Sequence, residues 1–150
     1  MRNSGRSAFS RSNGAGPISF EIPSETGFIK KASRKVLQYL EPYGLDKSVL
    51  FDIKLSFEEA VRNAMAHGNR SNRELPVKIN CAVDSGRLEI TIEDSGGGFD
   101  PKKIPDPTKG ANLLKGSGRG VYLIRRLMDE VEYNAKGNRI KIIKNLIQSG

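Results

Sequence analysis

Two alternating runs, Val77 to Val83 and Arg87 to Glu93, flank Asp84-Ser85-Gly86, and no other feature of the chain constrains its fold as tightly. Alternation at period two turns one face of each run toward a core, and a short link with glycine folds the pair into a hairpin. Ile18-Ser19-Phe20-Glu21-Ile22 alternates in the same way and is stopped by Pro23 and Ser24. Val131 to Ala135 and Arg139 to Leu146 read as a closing hairpin around Lys136-Gly137-Asn138. Between these runs the period changes to that of a helix. A first helix, with Ser24 placed to cap it, runs through Phe28, Val36, Leu37 and Leu40 and ends near Pro42-Tyr43-Gly44. A second, longer one has Asp46 as its cap and carries Val49, Leu50, Ile53, Phe57, Ala60, Val61, Ala64 and Met65 at three- and four-residue steps. Gly68 and Asn69 end it. A third is expected from about Gly118 to about Asp129. The order strand, helix, helix, hairpin, loop, helix, hairpin predicts an α+β fold: a mostly antiparallel sheet with helices on one face.

A chain of 150 residues suits one domain. Residues 1–16 are mostly Ser, Gly, Arg and Asn, too polar to bury, and read as a flexible tail before a domain over 17–150. The net charge is +8, but the excess sits at the ends. Residues 1–20 contribute Arg2, Arg6 and Arg11, and residues 133–150 contribute Lys136, Arg139, Lys141 and Lys144, with no acids in either stretch. A nucleic-acid binder more often carries a basic stripe on its folded body, so the pattern favours an acidic protein partner over nucleic acid. No run approaches the roughly 20 apolar residues of a membrane span, and no apolar stretch follows the N-terminal arginines as in a secretory signal. The single cysteine, Cys81, falls in a strand-like run and reads as a small buried hydrophobe. A cytoplasmic location is expected.

Three constellations are candidates for chemistry. Glu59, Asn63 and His67 follow at four-residue steps and so share one face of the second helix. A carboxylate can accept a proton, and an amide oxygen one turn away suits magnesium, which keeps waters and borrows phosphate oxygens. The same spacing also describes a solvated helix face. The second constellation is Glu93-Asp94-Ser95-Gly96-Gly97-Gly98-Phe99-Asp100. Here a strand delivers an aspartate to a glycine run that lets another group approach the backbone, and the carboxylate could accept a hydrogen bond from adenine's amine. A tight turn is the plainer reading. The third is Lys115-Gly116-Ser117-Gly118-Arg119-Gly120-Val121, which opens a helix. Backbone N–H groups at a helix start can hold an anion. The stretch matches neither a P-loop, because Lys-Gly-Ser inverts the required order, nor a dinucleotide fingerprint, because Val121 stands where the last glycine belongs. The 22 residues from Ser95 to Gly116 lack period and suit a lid.

Taken together, E-x-x-x-N on a helix, D-x-G-x-G-F after a strand, a long loop and G-x-G-x-G before a helix resemble the GHKL ATP-binding superfamily, which includes gyrase, heat-shock chaperones and sensor histidine kinases. The stretches EAVRNAMAHG and GSGRGVYLIRRLMDEVEY look most like the anti-sigma factor serine/threonine kinases, and the likeness covers about residues 18–146. The resemblance implies a Bergerat fold, a two-layer sandwich with ATP between it and a mobile lid. It implies Glu59 as catalytic base, Asn63 as magnesium ligand and Asp94 as the residue that reads adenine. Gly96 and Gly98, with Phe99, would shape the pocket wall. Gly116, Gly118 and Gly120, with Ser117, Arg119 and Val121 among them, would cover the phosphates, and His67 would line the nucleotide site. Several such kinases carry an arginine just before the Ser-Gly of the last box. That position is Gly116 here, leaving Lys115 and Arg119 as the nearby charges. A lysine does not reproduce an arginine's fork, so ATP binding is expected more firmly than efficient phosphotransfer.

The function expected from the resemblance is a serine/threonine protein kinase that phosphorylates a small anti-sigma-antagonist protein and sequesters a sigma factor. No dimerisation helix of the histidine-kinase type precedes the domain, so self-phosphorylation there is not expected. A homodimer is implied by the family alone. Two other readings stay open: a nucleotide-binding module that regulates by binding alone, and a basic interaction protein whose glycines only make turns.

Overall fold

The computed structural model describes residues 16–96 and 116–146, and of residues 116–119 the backbone only. Five strands form one sheet: β1 (Ile18–Pro23), β2 (Pro76–Asp84), β3 (Arg87–Glu93), β4 (Glu130–Tyr133) and β5 (Arg139–Asn145). Their order across the sheet is β1-β2-β3-β5-β4, and every neighbouring pair is antiparallel. The helices are α1 (Ile29–Leu40), α2 (Lys47–Asn63) and α3 (Gly116–Leu127). The α+β architecture expected from the sequence is therefore present.

The central hairpin forms as its alternation requires. Val77, Ile79, Cys81 and Val83 of β2 are buried, with Leu88, Ile90 and Ile92 of β3. Asp84 pairs with Arg87, so the link is the two residues Ser85 and Gly86, at φ 53° and 77°. Positive φ at both positions matches the twist of the flanking strands. Against these strands pack Val36 and Leu40 of α1, Ile53, Phe57 and Val61 of α2, and Ile124 of α3. Cys81 is fully buried and its thiol is pushed up to about 12 by burial, as suits a packing residue. Pairing of β1 with β2 runs only to Cys81, and beyond it the Val83 N–H donates to the Tyr39 hydroxyl at 3.2 Å. No described helix is long and apolar enough to cross a membrane.

Three local expectations change. Ser24 does not cap a helix: its hydroxyl donates to the Leu75 carbonyl at 2.6 Å, and a short 3-10 turn at Thr26–Phe28 leads into α1. The Ser24 oxygen accepts from the Asn69 amide at 2.9 Å, a tertiary donor in place of the helix N–H groups that a cap would accept from. Among the described residues the third helix covers Gly116–Leu127, against an expected span of about Gly118 to about Asp129. The second helix stops being α-helical after Asn63, and Ala64–Gly68 is a π turn in which the Asn69 N–H bonds the Ala64 carbonyl at 2.8 Å. The turn takes up one more residue than an α-helical turn. His67 lies within it and is exposed.

Next to Glu59 stands Glu58, which faces the other way and is 8% exposed. It pairs with Lys54 at 3.2 Å and with Lys30 of α1 at 3.9 Å, so it clasps the two helices. Burial pushes its carboxyl up, but the Ser33 hydroxyl and the Lys54 and Lys30 ammonium groups outweigh that and hold it below the usual glutamate value. A lowered value means stability that is present above the ordinary glutamate pKa and lost as pH falls through the folded-state value. Thermal melts across this acid range should therefore show the wild type losing stability relative to Glu58→Gln. Equal acid dependence in the two proteins would refute the clasp.

Candidate functional site

Two carboxylates mark the site, each set in space that a glycine leaves open. Glu59 lies on the side of α2 that meets α3, with its side chain 20% exposed. Its Oε1 accepts from Arg62 one turn on, at 3.1 Å. Its other end lies against Gly120 of α3. A Cβ at position 120 would stand 3.0 Å from both Cγ and Cδ of Glu59 and would overlap Oε2. Only glycine there lets the carboxylate occupy this seam. The helices run antiparallel, since Lys144 reaches both the Leu127 carbonyl at 2.7 Å and Asp52 at 3.9 Å. Asn63 is the last residue of α2, one turn beyond Glu59 and partly exposed.

Asp94 follows β3 directly and is 7% exposed. Its Oδ1 accepts from the Gly96 N–H at 2.9 Å. The carboxylate fills the space that a side chain at Gly68 would need, and a Cβ there would come within 2.7 Å of the Asp94 Cβ. Burial pushes the Asp94 carboxyl above the usual aspartate value. The Gly96 N–H pulls it down, Glu93 raises it and Lys136 lowers it, leaving it raised. A side chain at Gly96 would collide with the Gly68 carbonyl. That glycine is thus required by close approach of two backbones.

The backbone of Asp94 is held by the Lys136-Gly137-Asn138 loop, which the sequence marks only as a hairpin turn. Its N–H donates to the Asn138 carbonyl at 2.9 Å, and the Asn138 amide donates to its carbonyl at 3.3 Å. Asn134 shapes that loop by accepting from Gly137 at 2.9 Å and Arg139 at 3.1 Å. On the other side stands Asn69, which is 1% exposed. Its Oδ1 accepts from the Ser95 N–H at 2.7 Å, and its amide donates to the Ser24 hydroxyl and to the Leu75 and Pro76 carbonyls at 2.9–3.1 Å. From sequence Asn69 is only a helix end. A polar residue beside Gly68 is its one local signal, and partners 26 and 45 residues away leave none.

The structure thus brings Glu59 together with Gly120, and Asp94 together with Gly96 and Gly68, and it seats Val121 in α3 as a buried residue. Gly116 and Gly118 lie in the first turn of α3. Gly98, Phe99 and Lys115, the side chains of Ser117 and Arg119, and most of the expected lid lie outside the described residues. At the start of α3 the first backbone N–H groups have no partner within the helix, a ready anion site.

Residues 22–144 match the model of the histidine kinase-like ATPase domain. A protein of Bacillus subtilis named serine-protein kinase RsbW is 28% identical over 141 residues, covering 89% of this chain and 88% of that protein. One of the same name from Oceanobacillus iheyensis is 27% identical over 123 residues, covering 78% of each chain. Among solved structures, the SiaB-SiaC complex of Pseudomonas aeruginosa contains a chain that superposes with a TM-score of 0.59 at 14% identity, covering 89% of this chain and 90% of that one. The RsbU and RsbW domains of Rv1364c from Mycobacterium tuberculosis give the same score at 15% identity, over 85% of this chain and 31% of that one. At such identities these superpositions speak for the fold.

Proposed function

The chain belongs to the histidine kinase-like ATPase domain family, and from that premise we propose that it is an ATP-dependent serine/threonine protein kinase that acts on a small antagonist-type protein and restrains a sigma-factor-like partner. The observation that carries the reading is the placement of the Glu59 carboxylate against Gly120, beside the start of α3. A proton acceptor then stands next to the helix end best suited to phosphate. The names of the relatives, serine-protein kinases over most of their length, support the same reaction class.

In this mechanism Glu59 accepts the proton of a substrate serine or threonine hydroxyl. The freed oxygen attacks the γ-phosphorus of ATP, the bond to the β-phosphate oxygen breaks, and ADP leaves. The unpaired N–H groups at the start of α3, among them those of Gly116 and Gly118, stabilise charge on the transferring group, where positioning and electrostatics dominate, while Gly120 makes room for Glu59. Lys115 and Arg119 supply nearby positive charge, with Ser117, Val121 and His67 lining the site. Asp94 accepts from adenine's amine, with Gly96, Gly98 and Phe99 as the wall. The Asn63 amide oxygen suits Mg2+, which would neutralise charge on the phosphates and needs few protein ligands. The partner is expected to meet the basic ends of the chain through an acidic surface.

The test is phosphotransfer. The protein is incubated with γ-labelled ATP, Mg2+ and the antagonist-type protein encoded nearest to it. Label on a serine or threonine of that protein is the expected result. ATP binding without any transfer would overturn the kinase reading and leave the second one, a module that regulates by binding alone. Gly116, in place of the arginine found in several related kinases, is the feature that favours this second reading.

A further inference from the structure

We propose that Gly68 and Asn69 are positioning residues for Asp94. Together they set the orientation of its carboxylate and so the chain's preference for adenine over a purine with oxygen in place of the amine. The inference deepens the nucleotide reading above and rests on Asp94 being the group that meets adenine.

Three contacts run from this one turn to Asp94–Gly96. The Asp94 carboxylate occupies the space left by the absent side chain of Gly68. The Gly68 carbonyl packs directly on Gly96, whose N–H holds Oδ1 of Asp94. Asn69 Oδ1 receives the Ser95 N–H. A continued α-helix would not make these contacts. The π turn inserts one residue, which rotates everything after it by about 100°, the angle of one helical residue. The Asn69 N–H reaches back five residues to Ala64, and the Ser71 N–H reaches Met65 at 2.7 Å. Arg70 and Ser71 then take positive φ, 52° and 58°, as the chain leaves the turn.

The Asn69 amide cannot turn over. Its nitrogen donates to Ser24, Leu75 and Pro76, and its oxygen accepts from Ser95. Reversal would set an NH2 group against the Ser95 N–H, leaving buried donors unpaired. With Asn138 holding the Asp94 backbone from the other side, the carboxylate has little room to move. A rigidly placed acceptor distinguishes a donor from an acceptor on the ring. A mobile one turns away from the mismatch and discriminates less.

Dissociation constants for ATP and for inosine triphosphate, which carries oxygen where adenine has its amine, decide the matter. The full chain is compared with Asn69→Ala, Gly68→Ala and Ser24→Ala. The wild type is expected to prefer ATP by ~10-fold or more. In Asn69→Ala and Gly68→Ala, ATP binding weakens about 10-fold while inosine triphosphate binding changes less than ~2-fold, so the preference collapses. Ser24→Ala removes two bonds on the far side of Asn69, the one from its amide and the one to the Leu75 carbonyl, and it should lower the Tm while keeping the preference. If Asn69→Ala and Gly68→Ala lower the Tm but retain the wild-type preference, their role is structural only and the proposal is overturned. Asp94→Asn separates the parent reading: should it retain the preference as well, or should the wild type show none, the assignment of Asp94 to adenine fails first. Should neither variant at 68 or 69 fold, hydrogen exchange at the Ser95 N–H of the nucleotide-free wild type decides. Slowing by ~100-fold or more supports the clamp, and exchange at the rate of an open loop overturns it.

Discussion

Glu59→Gln is expected to lower phosphotransfer by about 10²- to 10⁴-fold, the range contributed by a positioned general base, while ATP binding changes little. The substitution keeps the size of the side chain and its place against Gly120, where the existing contact tolerates no added bulk. It also keeps an oxygen for the Arg62 guanidinium, 3.1 Å from Oε1 in the wild type. What it removes is the ability to take a proton. Loss of rate with unchanged nucleotide affinity is therefore the signature of a base. Single-turnover transfer of label, with ATP affinity measured on the same preparations, checks it. A variant as fast as the wild type would remove Glu59 from the mechanism.

Asp94→Asn should weaken ATP binding by roughly 10- to 100-fold, the effect of one badly matched buried hydrogen bond. Aspartate offers two acceptor oxygens. One already serves the Gly96 N–H at 2.9 Å, which leaves the other for adenine's amine. Asparagine has a single oxygen. Whichever way it turns, an NH2 group faces either Gly96 or the amine. The acid dependence of binding gives a second readout. Burial holds the Asp94 carboxyl above the usual aspartate value, so protonation begins at higher pH than for an exposed aspartate. ATP affinity of the wild type should decline as pH falls toward that raised value, and the Asn variant should lack this dependence. The stability sign is opposite to that of Glu58: a raised value contributes stability at low pH that is lost as pH rises through it. Calorimetric titration with ATP across the acid range measures the affinity effect, and thermal melts over the same range measure the stability effect. Wild-type affinity in the variant would remove Asp94 from adenine recognition.

Much of the site is legible because its signals are local. Glu59 and Asn63 lie one turn apart on an amphipathic helix, Asp94 ends an alternating strand, and Gly120 sits where a glycine box opens α3. Each is a matter of spacing within a few residues. Ser24, by contrast, carries a helix-cap signal and is used otherwise, because its hydroxyl is taken by the Asn69 amide and the Leu75 carbonyl. His67 carries the same four-residue spacing, but the change of helix type at Ala64 is not announced by that spacing.

The polar stripe on α2 and the glycine boxes pointed to a chemistry only through their joint resemblance to a family, whereas the alternation of β2 and β3 and the three- and four-residue steps of the helices determined by themselves the α+β architecture. They do so because burial acts on every second residue of a strand and every third or fourth of a helix. The tertiary structure alone decided how the two carboxylates are held. Gly68 and Gly120 matter for the side chains that fill the space they leave, and those chains come from Asp94 and Glu59. Asn69 and Asn138 matter for bonds to Ser95 and Asp94 across 26 and 44 residues. Such contacts obey no period. They form only once the sheet and the helices have brought distant segments together, and a buried polar group then takes whichever partner geometry offers.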